Sequence, residues 1–156
     1  MRSAGEWLSA YGESHRNPTN ERLHWICVPV IVWCLVGLLW TIPVPAPLEA
    51  HASTVNFASL AIIAALIYYA RLSVPLALGC VPLLIAMLWS VEVLARHLPV
   101  PLWAVCDALF VLAWIGQFVG HAIEGKRPSF LQDVQFLLIG PLWLLAQLYR
   151  RLDLQF

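Results

Sequence analysis

Four apolar stretches, at residues 25–42, 55–69, 74–94 and 102–123, constrain this chain most. About 20 apolar residues cross the hydrocarbon of a bilayer as a helix, and every backbone polar group there must find its partner inside the segment. Four such runs in 156 residues predict an all-α integral membrane protein with a single membrane-embedded domain over residues 1–156. The composition agrees: 61% of residues are hydrophobic and 12% charged, against about half and about a quarter in a soluble domain. A formal net charge of zero gives no support to nucleic-acid binding, which needs a dense basic face. Cys27, Cys34, Cys80 and Cys106 all fall inside the apolar runs with no CxxC spacing, so they are expected to be small packing residues rather than a disulfide framework. The first residues, "MRSAGEWLSAYGESHRN", lack the apolar core of a signal peptide, so the chain is expected to be retained whole.

A fifth segment, residues 130–148, is apolar but carries Gln132, Asp133, Gln135 and an internal Gly140-Pro141. That mixture suits a broken, tilted or re-entrant helix as well as a clean span. Lysine and arginine in short loops choose between these, because cytoplasmic loops are enriched in them. With a cytoplasmic N-terminus, Arg2, Arg16, Arg22, Arg71, Lys126 and Arg127 lie inside, and Arg96, Arg150 and Arg151 lie outside if the fifth segment crosses: six against three. If it returns, the count is eight against one. The expectation is therefore four transmembrane helices plus a C-terminal re-entrant or surface-lying helix, a fifth transmembrane helix being the alternative.

This topology brings "HRNPTNERLH" and the end of the fourth run, "GQFVGHAIEGKRP", to one membrane face. His15 and His24 are nine residues apart. On one continuous helix they would point to opposite sides, about 13 Å apart along the axis. They converge only if the chain turns between them, and "NPTN" supplies a turn. Asn20 or Thr19 is expected to cap the helix that follows, with Glu21 and Arg22 in its first turn. Gln117, His121 and Glu124 are spaced i, i+4, i+7 and line one helix face, which Trp114 continues inward. A polar stripe on an apolar helix is costly unless it faces partners. His121 and Glu124 have the i, i+3 spacing by which helices present metal ligands. Gly116 and Gly120 stand on the neighbouring face and would admit another helix closely.

A single histidine at a membrane interface is ordinarily just hydrogen-bonded. Three neutral imidazoles at one face, His15, His24 and His121, make a site for a divalent transition metal with positions left open. His51 and His97 fall at the opposite face and are expected to play no part. Glu92 and Asp107 are expected to be structural, a proton relay being the alternative. Arg16, Arg22, Lys126 and Arg127 form a basic rim.

"YGESHRNPTNERLHWICVPVI", followed about 90 residues later by "WIGQFVGHAIEGKRPSF", resembles the 2-hydroxy fatty acid dioxygenase family. Its eukaryotic members act in phytosphingosine breakdown by fatty-acid α-oxidation. The matching residues are Tyr11, His15, Asn17, Asn20, His24 and Pro29, then Gln117, Gly120, His121, Glu124, Arg127 and Pro128. The resemblance implies an iron(II)-dependent membrane dioxygenase that uses O2 to shorten a 2-hydroxy fatty acid by one carbon. It implies His15, His24 and His121 as the Fe2+ ligands, with Glu124 a fourth ligand or the partner of an imidazole. Gln117, Asn17 and Asn20 would orient groups around the metal or the substrate. Arg16, Lys126 and Arg127 would meet the carboxylate, and Trp114 and the apolar helices the acyl chain. Membrane lipid is the surrounding partner. A di-iron hydroxylase would need about eight histidines in HxxxH and HxxHH clusters, and a zinc hydrolase commonly shows HExxH; neither pattern occurs. The non-enzymatic alternative is a small transport or assembly protein using Asp107 and Glu92.

Overall fold

Capping chemistry decides where the helices of the chain begin. In the computed structural model, which describes residues 2–128 and 135–156, α1 (Ala4–Gly12) opens on a capping box. Ser3 accepts from the Glu6 N–H at 3.2 Å while its own N–H donates to the Glu6 carboxylate at 2.6 Å. The chain then turns, and α2 (Pro18–Trp40) starts with Pro18 in its first turn. Asn17 is the N-cap: it is extended, and its side-chain oxygen accepts from the Thr19 N–H at 2.9 Å. The expected caps, Asn20 and Thr19, are therefore corrected to Asn17. A proline has no N–H to lose at a first helical position, and it pushes the residue before it out of helical geometry. The earlier start puts Asn20 and His24 on the helix itself.

A short 3₁₀ turn (Ala46–His51) leads to α3 (Phe57–Leu72), capped by Asn56 and Ser59. Ser73 both ends α3 and caps α4 (Val74–His97), so the hairpin between them has a one-residue link. After α5 (Leu102–Glu124) comes Gly125, whose φ of 73° lies in the left-handed region that glycine enters without steric cost. The last helix, α6 (Phe136–Arg151), is continuous through Gly140 and Pro141, so this pair does not break it. Of the polar residues expected in the fifth segment, Gln132 and Asp133 lie outside the described residues, as does Phe130. The described elements are all helical. Among the described residues, three helices, α2, α4 and α5, are long and apolar enough to cross a membrane. The 16 residues of α3 are apolar too, but they rise only about 24 Å against about 30 Å of hydrocarbon.

An antiparallel pair, α2 and α5, forms the axis. Its seam is made of small residues: Gly37 lies against Cys106, Gly116 against Cys27, and Gly120 against Asn20. A Cβ on Gly116 would stand 2.7 Å from the Cys27 sulfur, so the glycines set the helix separation. The four cysteines are buried and unpaired, as their packing role requires. At one end, α1 and α6 close over the bundle. Trp7 meets Phe136 edge-on at 5.1 Å, Tyr69 Oη donates to the Leu138 carbonyl at 2.8 Å, and Arg151 pairs with Glu21 at 3.0 Å. At the other end a smaller core gathers Cys34, Val36, Ala58, Val91, Leu102 and Cys106. The outer faces are apolar and exposed, as at Leu60, Leu78, Trp89 and Leu112, a surface compatible with membrane insertion.

Candidate metal centre

Each histidine of the expected trio arrives from a different element. His15 follows α1, His24 sits on the second turn of α2, and His121 on the last turn of α5. All three are at most 5% exposed. One ligand atom from each lies within 4.8 Å of the others, and the ring centroids are 4.2, 5.0 and 5.0 Å apart.

The hydrogen bonds decide the tautomers of two of them. His15 Nδ1 lies 2.6 Å from the Tyr11 carbonyl and His24 Nδ1 lies 2.9 Å from the Asn20 carbonyl. A carbonyl only accepts, so both Nδ1 atoms carry hydrogen and donate. In the neutral rings both Nε2 atoms then present lone pairs, and they face each other at 2.9 Å. Two lone pairs at that distance repel unless a positive charge lies between them. The third member, His121, has a buried Nδ1 with no hydrogen-bond partner among the described residues. Burial lowers the His15 pKa to about 4, against which the bond to Tyr11 acts upward. A neutral imidazole is the form that binds a metal. These donors fit a divalent transition ion, with backbone carbonyls orienting two of the rings. Tyr11 also stacks on the His15 ring, centroids 4.1 Å apart and planes 11° apart.

Glu124 lies outside this trio. Its oxygens accept from the backbone N–H of Arg16 at 3.1 Å and of Asn17 at 2.8 Å, and from the Asn20 amide at 3.2 Å. These bonds make Glu124 a clamp on the turn between His15 and α2. A carboxylate near two free backbone donors at a helix N-terminus is well placed electrostatically. Asn20, fully buried, donates to the Ser14 carbonyl at 2.9 Å as well as to Glu124, and its own carbonyl holds His24. Asn17 serves as the helix cap. Lys126 Nζ donates to the Glu13 carbonyl at 2.7 Å, tying the end of α5 to the end of α1. Arg16 and Arg127 are exposed at this end.

Gln117 and Trp114 line a cavity of about 180 Å³ beside the trio, with His24, His121 and Tyr11 at its head. His51 and His97 are both exposed, away from the trio. Glu92 pairs with Arg96 one turn on, and Asp107 is exposed on α5. Sequence reasoning missed Ser14, whose carbonyl holds Asn20, and Trp143 of α6, whose ring lies 5.3 Å from His15. The carbonyl partners Tyr11 and Asn20 each stand four residues before a histidine, and that spacing was a usable signal.

Compared with known families, residues 1–152 match the one described as 2-hydroxy-palmitic acid dioxygenase Mpo1-like. The chain belongs to the Mpo1-like family. No curated protein and no solved structure matches it. Among the described residues of this Mpo1-like chain, the three buried histidines form a group that could hold a metal.

Proposed function

We propose that this chain is an iron(II)-dependent dioxygenase that shortens a long-chain 2-hydroxy fatty acid by one carbon. The observation that carries the reading is the pair of Nε2 atoms facing each other at 2.9 Å, with both Nδ1 atoms committed to carbonyls. His15, His24 and His121 would hold the ion, which would supply a chelation point for hydroxyl and carboxylate and a site for O2. With carbon dioxide and water as the other products the atoms balance. All four electrons for O2 come from the substrate, so no 2-oxoglutarate is consumed.

The protein's own groups do the positioning. Tyr11 and Asn20 fix two imidazoles through their carbonyls, and Glu124 holds the turn that brings His15 back towards His24. The closure by α1 and α6 keeps water from the trio, which strengthens every electrostatic contact there. Arg16 and Arg127 remain as a basic rim. The site is proposed to face the cytoplasm. The contact of Arg151 with Glu21 supports counting the C-terminal arginines with the N-terminus, eight basic residues against Arg96 alone, which satisfies the positive-inside rule.

Protein purified without oxygen should carry about one iron per trio, in keeping with a single three-imidazole site. With O2 it should convert 2-hydroxyhexadecanoic acid to the fifteen-carbon acid. The unsubstituted acid and the 3-hydroxy isomer should react poorly, because only a 2-hydroxyl closes a five-membered chelate with the carboxylate. Equal turnover of all three acids would overturn the reading.

A further inference from the structure

The cavity beside the histidines changes character along its length. Its head is formed by Tyr11, His24, Gln117 and His121, each no more than 7% exposed. From there it runs along the α2–α5 pair past Val28, Val32 and Trp114 to Leu35 and Phe110, with the first turn of α6 as its other wall. Leu35, at the far part, is 45% exposed, as is Leu137 on the α6 wall. Among the described residues the cavity is closed at its polar head and open at its apolar end. In a bilayer that open end faces lipid.

The contents of the head are also unusual. Gln117 is 94% buried by its 6% exposure, and no hydrogen bond accounts for its amide among the described residues. Burying an amide without a partner is costly, so a glutamine at the junction of imidazoles and hydrocarbon is suited to a ligand that is polar at one end only.

We propose that this groove is the acyl-tail subsite, entered sideways from the bilayer, with Gln117 bonding the substrate's polar end beside the histidines and Val32 lying on the path of the tail. This rests on the dioxygenase reading for the identity of the head group. It adds the route and the measure of the tail. From His24 to Leu35 is eleven residues of helix, a rise of about 16 Å. An extended tail advances about 1.3 Å per methylene, given C–C bonds of about 1.5 Å, so the groove accommodates about a dozen carbons. Val32 stands eight residues below His24, about 12 Å, beyond the reach of an eight-carbon acid and within that of a sixteen-carbon one.

The test uses the full chain in lipid nanodiscs. 2-Hydroxyhexadecanoic acid carrying a mid-chain diazirine should label residues 28–35 and 110–114. Labelling centred instead on the exposed α3 residues Leu60, Ile63 and Ile67 would overturn the proposal. Val32→Trp should cut turnover of the sixteen-carbon acid by about tenfold or more, while 2-hydroxyoctanoic acid is turned over as before and metal content is unchanged. An equal loss for both acids would remove Val32 from the tail's path; Val32→Phe repeats the comparison if the tryptophan variant does not fold. Labelling in the groove without turnover of either acid would leave the tail subsite standing and sink the dioxygenase reading. Turnover with labelling elsewhere would do the reverse.

Discussion

His24 and His97 make the same local bond: each donates Nδ1–H to the carbonyl four residues back, at 2.9 and 2.8 Å. One is 1% exposed at the end of the bundle covered by α1 and α6; the other is exposed at the opposite end, where neither helix reaches. The imidazole geometry is a property of one helical turn and costs the fold little. Convergence and burial are not local. They need the turn at Asn17-Pro18, the glycine seam between α2 and α5, and the closing helices. The difference between the ends therefore teaches that the candidate site is made by its cover and its clamps, with the histidines as the part any helix could have supplied.

The sharpest way to break that comparison is to remove histidines from each end. His15→Ala, His24→Ala and His121→Ala should each abolish activity and reduce metal content to near zero, measured on purified protein by elemental analysis. His51→Ala and His97→Ala should leave both unchanged. Full metal occupancy in all three members of the first set would end the three-imidazole reading.

The next largest effect should come from the clamp. Glu124→Gln keeps the size and loses the charge that accepts the Arg16 and Asn17 backbone N–H groups and the Asn20 amide. Activity and metal affinity should fall by about 10–100-fold without vanishing, the range typical of groups that orient metal ligands. Complete loss with the metal retained would instead give Glu124 a direct part in the chemistry. Asn20→Ala removes the same clamp from its other side. Combined with Glu124→Gln it should cost less than the two single effects added, since both act through one turn.

These clamps also mark the limit of what the chain's text discloses. The stripe Gln117, His121 and Glu124 was legible from spacing, and so was the shared face of His15, His24 and His121, because helix periodicity and loop charge are local. Glu124's partners were not legible: they are backbone N–H groups, which every residue carries, and only folding selects Arg16 and Asn17. The start of α2 was misplaced by two or three residues because Thr19 and Asn20 also carry side chains that can cap a helix, and Asn17 takes the role because Pro18 holds it extended. The cover by α6 was unreadable for another reason. Trp143 meets Tyr11 from more than 130 positions along the chain, and no periodicity encodes such a meeting. The apolar stretch at 55–69 was read as a span; α3 is apolar but, at 16 residues, shorter than α2, α4 and α5.

Two glycines of the α2–α5 seam separate stability from site assembly. A methyl at position 37 would run into Cys106, far from the histidines, and one at position 120 would run into Asn20. Both changes overpack the seam, at about 1–3 kcal/mol of stability each. Gly37→Ala should lower the thermal midpoint and leave metal bound per folded chain unchanged. Gly120→Ala should lower both, because the displaced Asn20 holds His24 and Glu124. If Gly37→Ala weakened metal binding as much as Gly120→Ala, the two ends would be mechanically coupled and the contrast between them would fail.

The smallest expected effect is a pH dependence that comes from the covered end. Burial holds His15 neutral down to about pH 4, against an ordinary value of 6.5. In metal-free protein above pH 6.5 the residue is neutral in folded and unfolded chains alike and contributes no pH dependence. Between about 6.5 and 4 the unfolded chain takes up the proton and the folded chain does not, so stability falls as pH falls across that window and flattens below it. The thermal midpoint of the metal-free protein should therefore drop between pH 7 and pH 5. Asn17 and Tyr11 are untouched in His15→Gln, and that variant should show a visibly smaller drop. An unaltered slope in His15→Gln would mean that the cover does not keep that imidazole from water, and with it would go the physical basis for placing the metal there.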